Sequence, residues 1–181
     1  MKTWDNIYSK ISTLENIFLG WEEFRRGKKS KKDVLFFERY LENNLFALYM
    51  SFHDKNYKPG RYKEFYVRDP KLRLIHKASA KDRVVHHIVS REFEKIFEPT
   101  FYAHSYSCRK NRGTHKGVCA MQSMARNVSE NNRKTCWILK CDIKKFFASI
   151  NHTALLKIVS KKINDQEFLG LLEKIIDSFY S

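Results

Sequence analysis

The chain changes its hydrophobic period after its first third, and this change limits the folds that it can adopt. Over residues 33–53, apolar side chains recur at steps of three and four, which indicates one buried helical stripe. The stripe consists of Val34, Phe37, Leu41, Leu45, Leu48 and Phe52. Two short runs rich in β-favouring residues follow at 62–68 and 71–77, and the Asp69-Pro70 pair between them predicts a hairpin. A helical region followed by a hairpin predicts an α+β fold that is rich in helix.

Helices are predicted on both sides of the hairpin. A first helix is expected over residues 3–18, and the charged link RRGKKSKK at 25–32 is interpreted as a loop or a solvated nucleic-acid-binding arm. Asp33 is a candidate cap for the helix that follows this link. After the hairpin, Ser79 and Asp82 form a capping-box pattern that opens another helix. That helix is expected to bury Val84, Val85, Ile88, Val89, Phe93 and Ile96.

The second half of the chain is predicted to contain three helices and one strand. An irregular stretch leads into a helix that begins near Thr114. Residues 135–142 (TCWILKCD) are interpreted as a short, buried core strand that ends in an acidic residue. Two amphipathic helices are expected near 152–163 and 166–180. Because a single core strand needs partners, we expect them in the hairpin region or beyond Ser181.

The charge of the chain favours a polyanionic partner. Lys and Arg number 35 against 20 Asp and Glu, which gives a formal net charge of +15. Basic side chains release condensed counterions when they contact phosphates, so nucleic acid is the expected partner, although a basic but otherwise ordinary domain is the alternative. We see no signal peptide and no uninterrupted run of ~18 apolar residues, and we therefore expect a cytoplasmic protein without a membrane partner.

Asp142 stands at the end of the predicted core strand, in the segment CDIKKFFASINH. A strand end places a carboxylate beside a free backbone carbonyl, here that of Ile143, and Mg²⁺ prefers such oxygen ligands together with substrate phosphates. Two ions about 3.5–4 Å apart would stabilise both oxygens of a phosphoryl transfer, but one Asp cannot hold two ions. From the residues alone, Asp142 is a metal ligand, an ordinary strand-end residue or a helix cap.

The same segment resembles the first catalytic block of bacterial reverse transcriptases, in which an Asp and an Ile precede two adjacent Phe and a later Ile-x-His. The resemblance implies that Asp142 is a catalytic metal ligand of the palm, with the Ile143 carbonyl as a further ligand. It implies that Phe147 is the steric gate that excludes ribonucleotides, with Phe146 packing beside it. Ala148 departs from many group II intron relatives, which have Asp at this position.

Basic residues on the hairpin and on the helix after it form a second candidate site. Arg73 and Arg83 could each make bidentate, charge-assisted bonds to phosphate oxygens. A solvated hairpin with charges that protect its edges is the structural alternative. The block resembles the fingers motifs of the same family, and the resemblance implies that Arg73 and Arg83 bind the incoming triphosphate. Lys71 and Arg68 are weaker candidates.

A third block, SYSCRKNRGTHKGV at 105–118, combines a basic loop with the start of a helix. A helix N-terminus offers free N–H groups and a positive dipole to a phosphate. The stretch resembles the S-Y-x-x-R-x-x-x-G-T-H segment of diversity-generating retroelement reverse transcriptases, and the resemblance implies a place near template and primer. The implied nucleic-acid-binding residues are Arg109, Lys110, Arg112, His115 and Lys116.

The three blocks occur in family order over residues 62–152. The resemblance therefore implies one polymerase domain that is cut short, with an N-terminal helical region at 1–55, fingers at 56–134 and a partial palm at 135–181. The family's second catalytic block, Tyr-x-Asp-Asp, does not occur in the 181 residues. We therefore expect a fragment that is catalytically incomplete by itself.

The resemblance also implies an activity and its requirements. The complete enzyme would be a prokaryotic RNA-directed DNA polymerase that extends a DNA primer on an RNA template with dNTPs and two Mg²⁺ ions, for which Mn²⁺ could substitute. Two alternatives stay open, namely a non-catalytic nucleic-acid-binding relic and a defence-type reverse transcriptase with template-independent synthesis. The oligomeric state is not predicted.

Overall fold

The computed structural model describes residues 3–179, except for the side chain of Ala148, and the chain divides into two compact units. The first unit comprises residues 1–94 and 148–181, and the second comprises residues 95–147. Within the described part, no helix combines the length and apolar character that crossing a membrane requires. The predicted α+β character, helix-rich with one hairpin, is confirmed.

The first unit begins with two helices where the sequence predicted one over residues 3–18. They are α1 (Ile7–Ile11) and α2 (Leu14–Arg25). The single-helix prediction is wrong because Thr13 adopts extended backbone and its hydroxyl accepts a 3.3 Å hydrogen bond from the Asn16 amide. Thr is a favoured N-cap, and its side chain here satisfies an amide that the first turn of α2 leaves without a helical partner.

The apolar stripe at 33–53 is likewise divided between two helices. These are α3 (Lys32–Arg39) and α4 (Leu41–His53), and the chain bends between them at Tyr40, where φ is −122° and ψ is 41°. Five of the six predicted stripe residues are buried, and Leu41 at the bend is half-buried. The prediction that Asp33 caps this helix is wrong, because the N-cap position belongs to Lys31 and Asp33 lies inside the first turn.

The predicted hairpin is confirmed. Strands β1 (Lys63–Asp69) and β2 (Lys71–Lys77) pair antiparallel, with Pro70 between them at the tip. They form the only sheet among residues 3–179. All of β1 and most of β2 are exposed, so the hairpin is an arm rather than part of the core. An isolated two-stranded hairpin is marginally stable, and its base must therefore be held by the rest of the unit.

Asp82 holds both ends of the hairpin. Its carboxylate accepts hydrogen bonds from the Tyr57 hydroxyl at 2.8 Å, the Gly60 amide at 3.0 Å and the Ser79 hydroxyl at 2.6 Å. The Ser79 hydroxyl in turn accepts from the Asp82 amide at 3.2 Å, so Ser79 caps the start of α5 (Ala80–Phe97) as predicted. The Asp82 carboxylate bonds the Ser79 hydroxyl and not the Ser79 amide, so the reciprocal bond of a complete capping box is not formed. Asp82 is 1% exposed. Burial is the largest of the effects that raise the pKa of Tyr57, and the Asp82 carboxylate adds to it.

The last two helices of the chain pack on each other, and the second of them also packs on α1. They are α8 (His152–Ser160) and α9 (Gln166–Asp177), close to their predicted positions, although the predicted end at residue 180 lies outside the described residues. Asp165 is buried and caps α9 through the Phe168 amide at 2.9 Å. The same carboxylate accepts from the Tyr8 amide at 2.7 Å, which joins the two ends of the chain.

The second unit contains α6 (Thr114–Val128), which begins where the sequence predicted, and the first residues of the short helix α7 (Phe146–Ser149). The predicted buried strand at 135–142 is wrong, since these residues form no ladder and Trp137 and Leu139 are 90% and 89% exposed. A strand needs a neighbour for its backbone groups, and among residues 3–179 the hairpin strands form a ladder with each other and with no other segment. The expected partner in the hairpin region is therefore not used.

Close packing of α2 on α5 gives a test of the core. A Cβ added at Gly20 would lie 2.3 Å from Cγ1 of the fully buried Ile88, whereas one at Gly170, also inside a helix, would meet nothing within 4 Å. Gly20→Ala should lower the free energy of unfolding by about 1–3 kcal/mol through overpacking. Gly170→Ala should raise it by up to about 1 kcal/mol, because Ala favours helix. Chemical denaturation measures both, and a Gly20→Ala variant as stable as Gly170→Ala would contradict this packing.

Candidate nucleotide and nucleic-acid site

Asp33 joins the base of the hairpin to α5. Nζ of Lys77, at the end of β2, lies 2.8 Å from Oδ2 of Asp33, and the guanidinium of Arg83 bonds to the same oxygen. Partial burial acts to raise the pKa of Asp33, but the Lys77 hydrogen bond and the charges of Arg83 and Lys77 lower it below its ordinary value. The carboxylate is therefore ionised over the whole neutral range, and it fixes two cations beside each other.

Arg83 is held firmly in the first unit. Its Nε donates to the Ser79 carbonyl at 3.4 Å, and its Cζ lies 5.0 Å from the centroid of the Phe24 ring. Only 20% of its side chain is exposed. A guanidinium has five N–H donors, and the bonds to Asp33 and Ser79 leave some of them for a phosphate. The Arg83 guanidinium is thus held in one orientation, with only some of its N–H donors used by protein groups.

Arg73 is placed differently, on the exposed part of the hairpin. It lies opposite Val67 in the ladder, and alternation puts it on the same face as Lys77, about 13 Å further out along β2. In the part of the chain that the structure describes, no carboxylate pairs with Arg73. Arg68 and Lys71 are exposed nearer the tip. Among residues 3–179, Arg73 on the arm therefore has no carboxylate partner, whereas Lys77 and Arg83 at its base share Asp33.

Arg109 organises the basic loop of the second unit. Its Nε lies 2.9 and 3.1 Å from the two oxygens of Glu98, and one terminal nitrogen donates to the carbonyls of Tyr102 and Ser105 at 3.0 and 2.9 Å. Its side chain is 8% exposed. The hydrogen bonds from Arg109 lower the pKa of Glu98 below its ordinary value. Arg109 therefore shapes the loop from inside, a role that the sequence pattern did not indicate.

The other four predicted nucleic-acid-binding residues lie on the surface of the same loop and helix start. Lys110, Arg112, His115 and Lys116 are all exposed. Gly113, with φ of 103°, is the N-cap of α6, and its amide donates to the Tyr106 carbonyl at 2.9 Å. This positive φ suits glycine, and it turns the chain so that the basic loop leads directly into the helix.

Asp142 and the two phenylalanines lie in one exposed segment of the second unit. Asp142 belongs to a stretch without regular secondary structure before a turn at residues 144–145, and α7 follows. Phe147 is 82% exposed and Phe146 49% exposed, and their ring centroids lie 5.4 Å apart. Among residues 3–179, no three His, Cys, Asp or Glu side chains cluster as metal ligands. The oxygen donors available at this point are therefore one carboxylate and the neighbouring backbone carbonyl, fewer than the six ligands that Mg²⁺ takes.

Sequence reasoning missed two carboxylates that position these groups. Asp33 was assigned as a helix cap, and Glu98 was not singled out. A lone acidic residue after the basic link at 25–32 is a weak signal for Asp33. Nothing in the local spacing indicates that Glu98 receives Arg109, which is eleven residues later.

Comparison with known proteins gives a family and several relatives. Residues 58–180 match the family described as "Reverse transcriptase (RNA-dependent DNA polymerase)". The chain is 31% identical over 125 residues to the "Uncharacterized 91 kDa protein in cob intron" of Schizosaccharomyces pombe, which covers 69% of this chain and 15% of that protein. It is 27% identical over 123 residues to "Protein YkfC" of Escherichia coli, covering 67% of this chain and 32% of YkfC.

A third relative is named for a group II intron. The chain is 24% identical over 144 residues to the "Group II intron-encoded protein LtrA" of Lactococcus lactis subsp. cremoris, covering 78% of this chain and 23% of LtrA. The chain thus spans less than a third of the length of each of these three relatives.

The Asp33 contacts predict a pH-dependent stability. Since the folded pKa of Asp33 is below its unfolded value, its contribution exists above the unfolded pKa of about 3.9 and is lost as the pH falls through the folded pKa. At neutral pH, Asp33→Asn should lower the free energy of unfolding, because the ion pairs with Lys77 and Arg83 are lost. The loss should be about 1 kcal/mol and no larger, because solvent screens a partly exposed carboxylate. Denaturation at about pH 7 and pH 3 should show this difference shrinking.

Asp69→Asn at the exposed hairpin tip is the matched control and should change stability by less than about 0.5 kcal/mol. A loss in Asp33→Asn that is equally large at both pH values would show that the carboxylate acts through packing and not through its charge.

Proposed function

Because the chain belongs to the reverse transcriptase (RNA-dependent DNA polymerase) family, we propose that it contributes fingers and part of the palm to an enzyme that extends a DNA primer on an RNA template. The observation that carries this proposal is the family match over residues 58–180, which contains all three sequence blocks in order. In this proposal residues 1–55 are an N-terminal helical region, residues 56–134 are the fingers, and the palm begins near residue 135.

Asp142 would be the catalytic carboxylate, with the Ile143 carbonyl as a second ligand for Mg²⁺. The exposure of this segment supports the proposal, since a metal ligand must reach both the ion and the substrate phosphates. Mg²⁺ bound there would supply charge stabilisation to the phosphoryl oxygens. Lys140, Lys144 and Lys145 flank Asp142 and would raise the local concentration of phosphates. Mn²⁺ could take the place of Mg²⁺, because both accept oxygen ligands.

Arg73 and Arg83 would bind the triphosphate of the incoming dNTP in two different ways. Arg83 is already oriented by Asp33, Ser79 and the Phe24 ring, so binding through it costs little side-chain entropy. Arg73 is free on the arm and would be ordered only when a phosphate arrives. This difference supports a fingers arm that closes on a nucleotide from a fixed base.

Phe147 would be the sugar gate. Its ring is far more exposed than an aromatic side chain that serves only the core of its unit, and this supports a role toward a ligand. A ring at that position would exclude a 2′-hydroxyl by volume. Phe146, which is less exposed and contacts the Phe147 ring, would support it from one side.

The basic loop of the second unit would contact the template and primer backbone. Lys110, Arg112, His115 and Lys116 are exposed there and can neutralise phosphates. Arg109 would contribute by holding the loop in shape, since its donors are engaged by Glu98 and by two backbone carbonyls. Such contacts position a nucleic acid and carry no base sequence information.

Primer extension on an RNA template tests the proposal. In the polypeptide that the gene encodes, Asp142→Asn should reduce extension by more than about a hundredfold, because a metal ligand is lost. Asp69→Asn removes an equal charge from the hairpin tip and should leave extension near the parental rate. The 181-residue chain alone should bind primer–template in a salt-dependent manner without extending it, since one Asp cannot hold two ions.

Each other outcome points to an alternative. Extension that survives in Asp142→Asn would remove this residue from the active site. Binding without extension by the encoded polypeptide would favour a nucleic-acid-binding relic, and extension that needs no RNA template would favour template-independent synthesis.

A further inference from the structure

A cleft of about 840 Å³ opens in the first unit between α3, α4 and the base of the hairpin. Its rim carries the side chains of Lys32, Lys63, Lys77 and Lys81, and its floor is formed by apolar residues of the two helices and by Ala80. Every residue of the cleft lies between positions 32 and 81, within one unit. The cleft contains neither Asp142 nor the basic loop at 105–118.

The charge of the cleft is strongly positive. Among the residues that line it, four lysines face one carboxylate, Asp33, and that carboxylate is already paired with Lys77 and with Arg83. Lys81 is oriented at the rim by the Lys58 carbonyl at 3.1 Å and by the Tyr57 ring. Lys32 and Lys63 are exposed and have no carboxylate partner within residues 3–179. The rim is therefore suited to an anion with several charges.

One aromatic ring in the cleft, that of Phe36, is exposed and is not part of the packed core. Phe36 is 71% exposed, whereas its neighbour Phe37 is 7% exposed and packs against the Trp21 ring at 5.1 Å. The Phe36 ring lies edge-to-face with the Tyr40 ring, with the two centroids 6.2 Å apart. Its face is available to a flat group that enters the cleft. Cationic rims beside exposed aromatic rings are the pattern by which proteins bind single-stranded nucleic acid.

We propose that this cleft is a second nucleic-acid site, which binds a single-stranded segment of RNA with its phosphates on Lys32 and Lys63 and a base on Phe36. A single strand fits better than a duplex because its unstacked bases can reach an aromatic ring. The proposal rests on the proposed function in one respect, that RNA is the class of ligand. It depends on neither the metal site nor the basic loop at 105–118.

Binding of a labelled oligouridylate about ten nucleotides long, followed by fluorescence anisotropy over a range of salt, tests the site. The double variant Lys32→Gln/Lys63→Gln should reduce the log–log salt slope by about 1.4, since each single-strand phosphate contact contributes about 0.7. Phe36→Ala should weaken binding roughly tenfold and leave the slope unchanged, because stacking does not release counterions.

Two controls match these changes in charge and size. Lys10→Gln/Lys157→Gln removes two exposed lysines of the same unit outside the cleft, and Phe46→Ala removes an exposed α4 ring that does not line it. Both controls should bind within about twofold of the parental chain. Thermal unfolding of each variant establishes that it is folded.

Equal losses in the cleft and control variants would overturn the proposal, because the attraction would then be that of the whole basic surface. A glutamate- and leucine-rich peptide that binds the cleft in preference to RNA would also overturn it, in favour of a protein partner. The assay contains no dNTP and no divalent ion. A failure of the proposed polymerase activity would therefore leave this result unchanged, and the reverse holds as well.

Discussion

The buried carboxylate of Asp82 is the contact on which the hairpin arm depends. It accepts from the Tyr57 hydroxyl and the Gly60 amide before the hairpin, and from the Ser79 hydroxyl after it. Both ends of an exposed ribbon are thereby fixed to the start of α5. A buried carboxylate without such donors would be costly, and three donors on one group make the base of the arm rigid. The positions of the side chains that the arm presents to a ligand therefore depend on the Asp82 contacts.

Asp33 joins the base of the hairpin to α3, and it has a different role from Asp82. Asp82 organises the backbone on either side of the hairpin, whereas Asp33 holds the cations Lys77 and Arg83 at its foot. Arg83 at the base is therefore paired with a carboxylate, whereas Arg73 further out has no carboxylate partner among residues 3–179. In the proposed function, the paired cation would orient the phosphates of a nucleotide and the other would close over them.

The sequence predicted those parts of the structure that local chemistry determines. The hairpin, the helix cap at Ser79 and the start of α6 depend on turn and cap residues that act over a few positions. Long-range partners could not be predicted, and the role of Asp33 depends on Arg83, fifty residues away. The strand predicted at 135–142 failed for a related reason, since an apolar run shows a need for burial but not whether a neighbouring strand exists. The roles of the site residues came from the resemblance, and the structure adds that Arg73 and Phe147 are exposed whereas Arg83 and Arg109 are held by carboxylates.

Paramagnetic broadening by Mn²⁺ tests most directly whether Asp142 is a metal ligand. The chain would be labelled with ¹⁵N and bound to primer–template and dNTP, and Mn²⁺ would be added in place of Mg²⁺. If Asp142 binds the ion, broadening is strongest at the amides of Asp142 and Ile143 and disappears in Asp142→Asn. Broadening that is unchanged in Asp142→Asn, or strongest at another carboxylate, would contradict this role of Asp142.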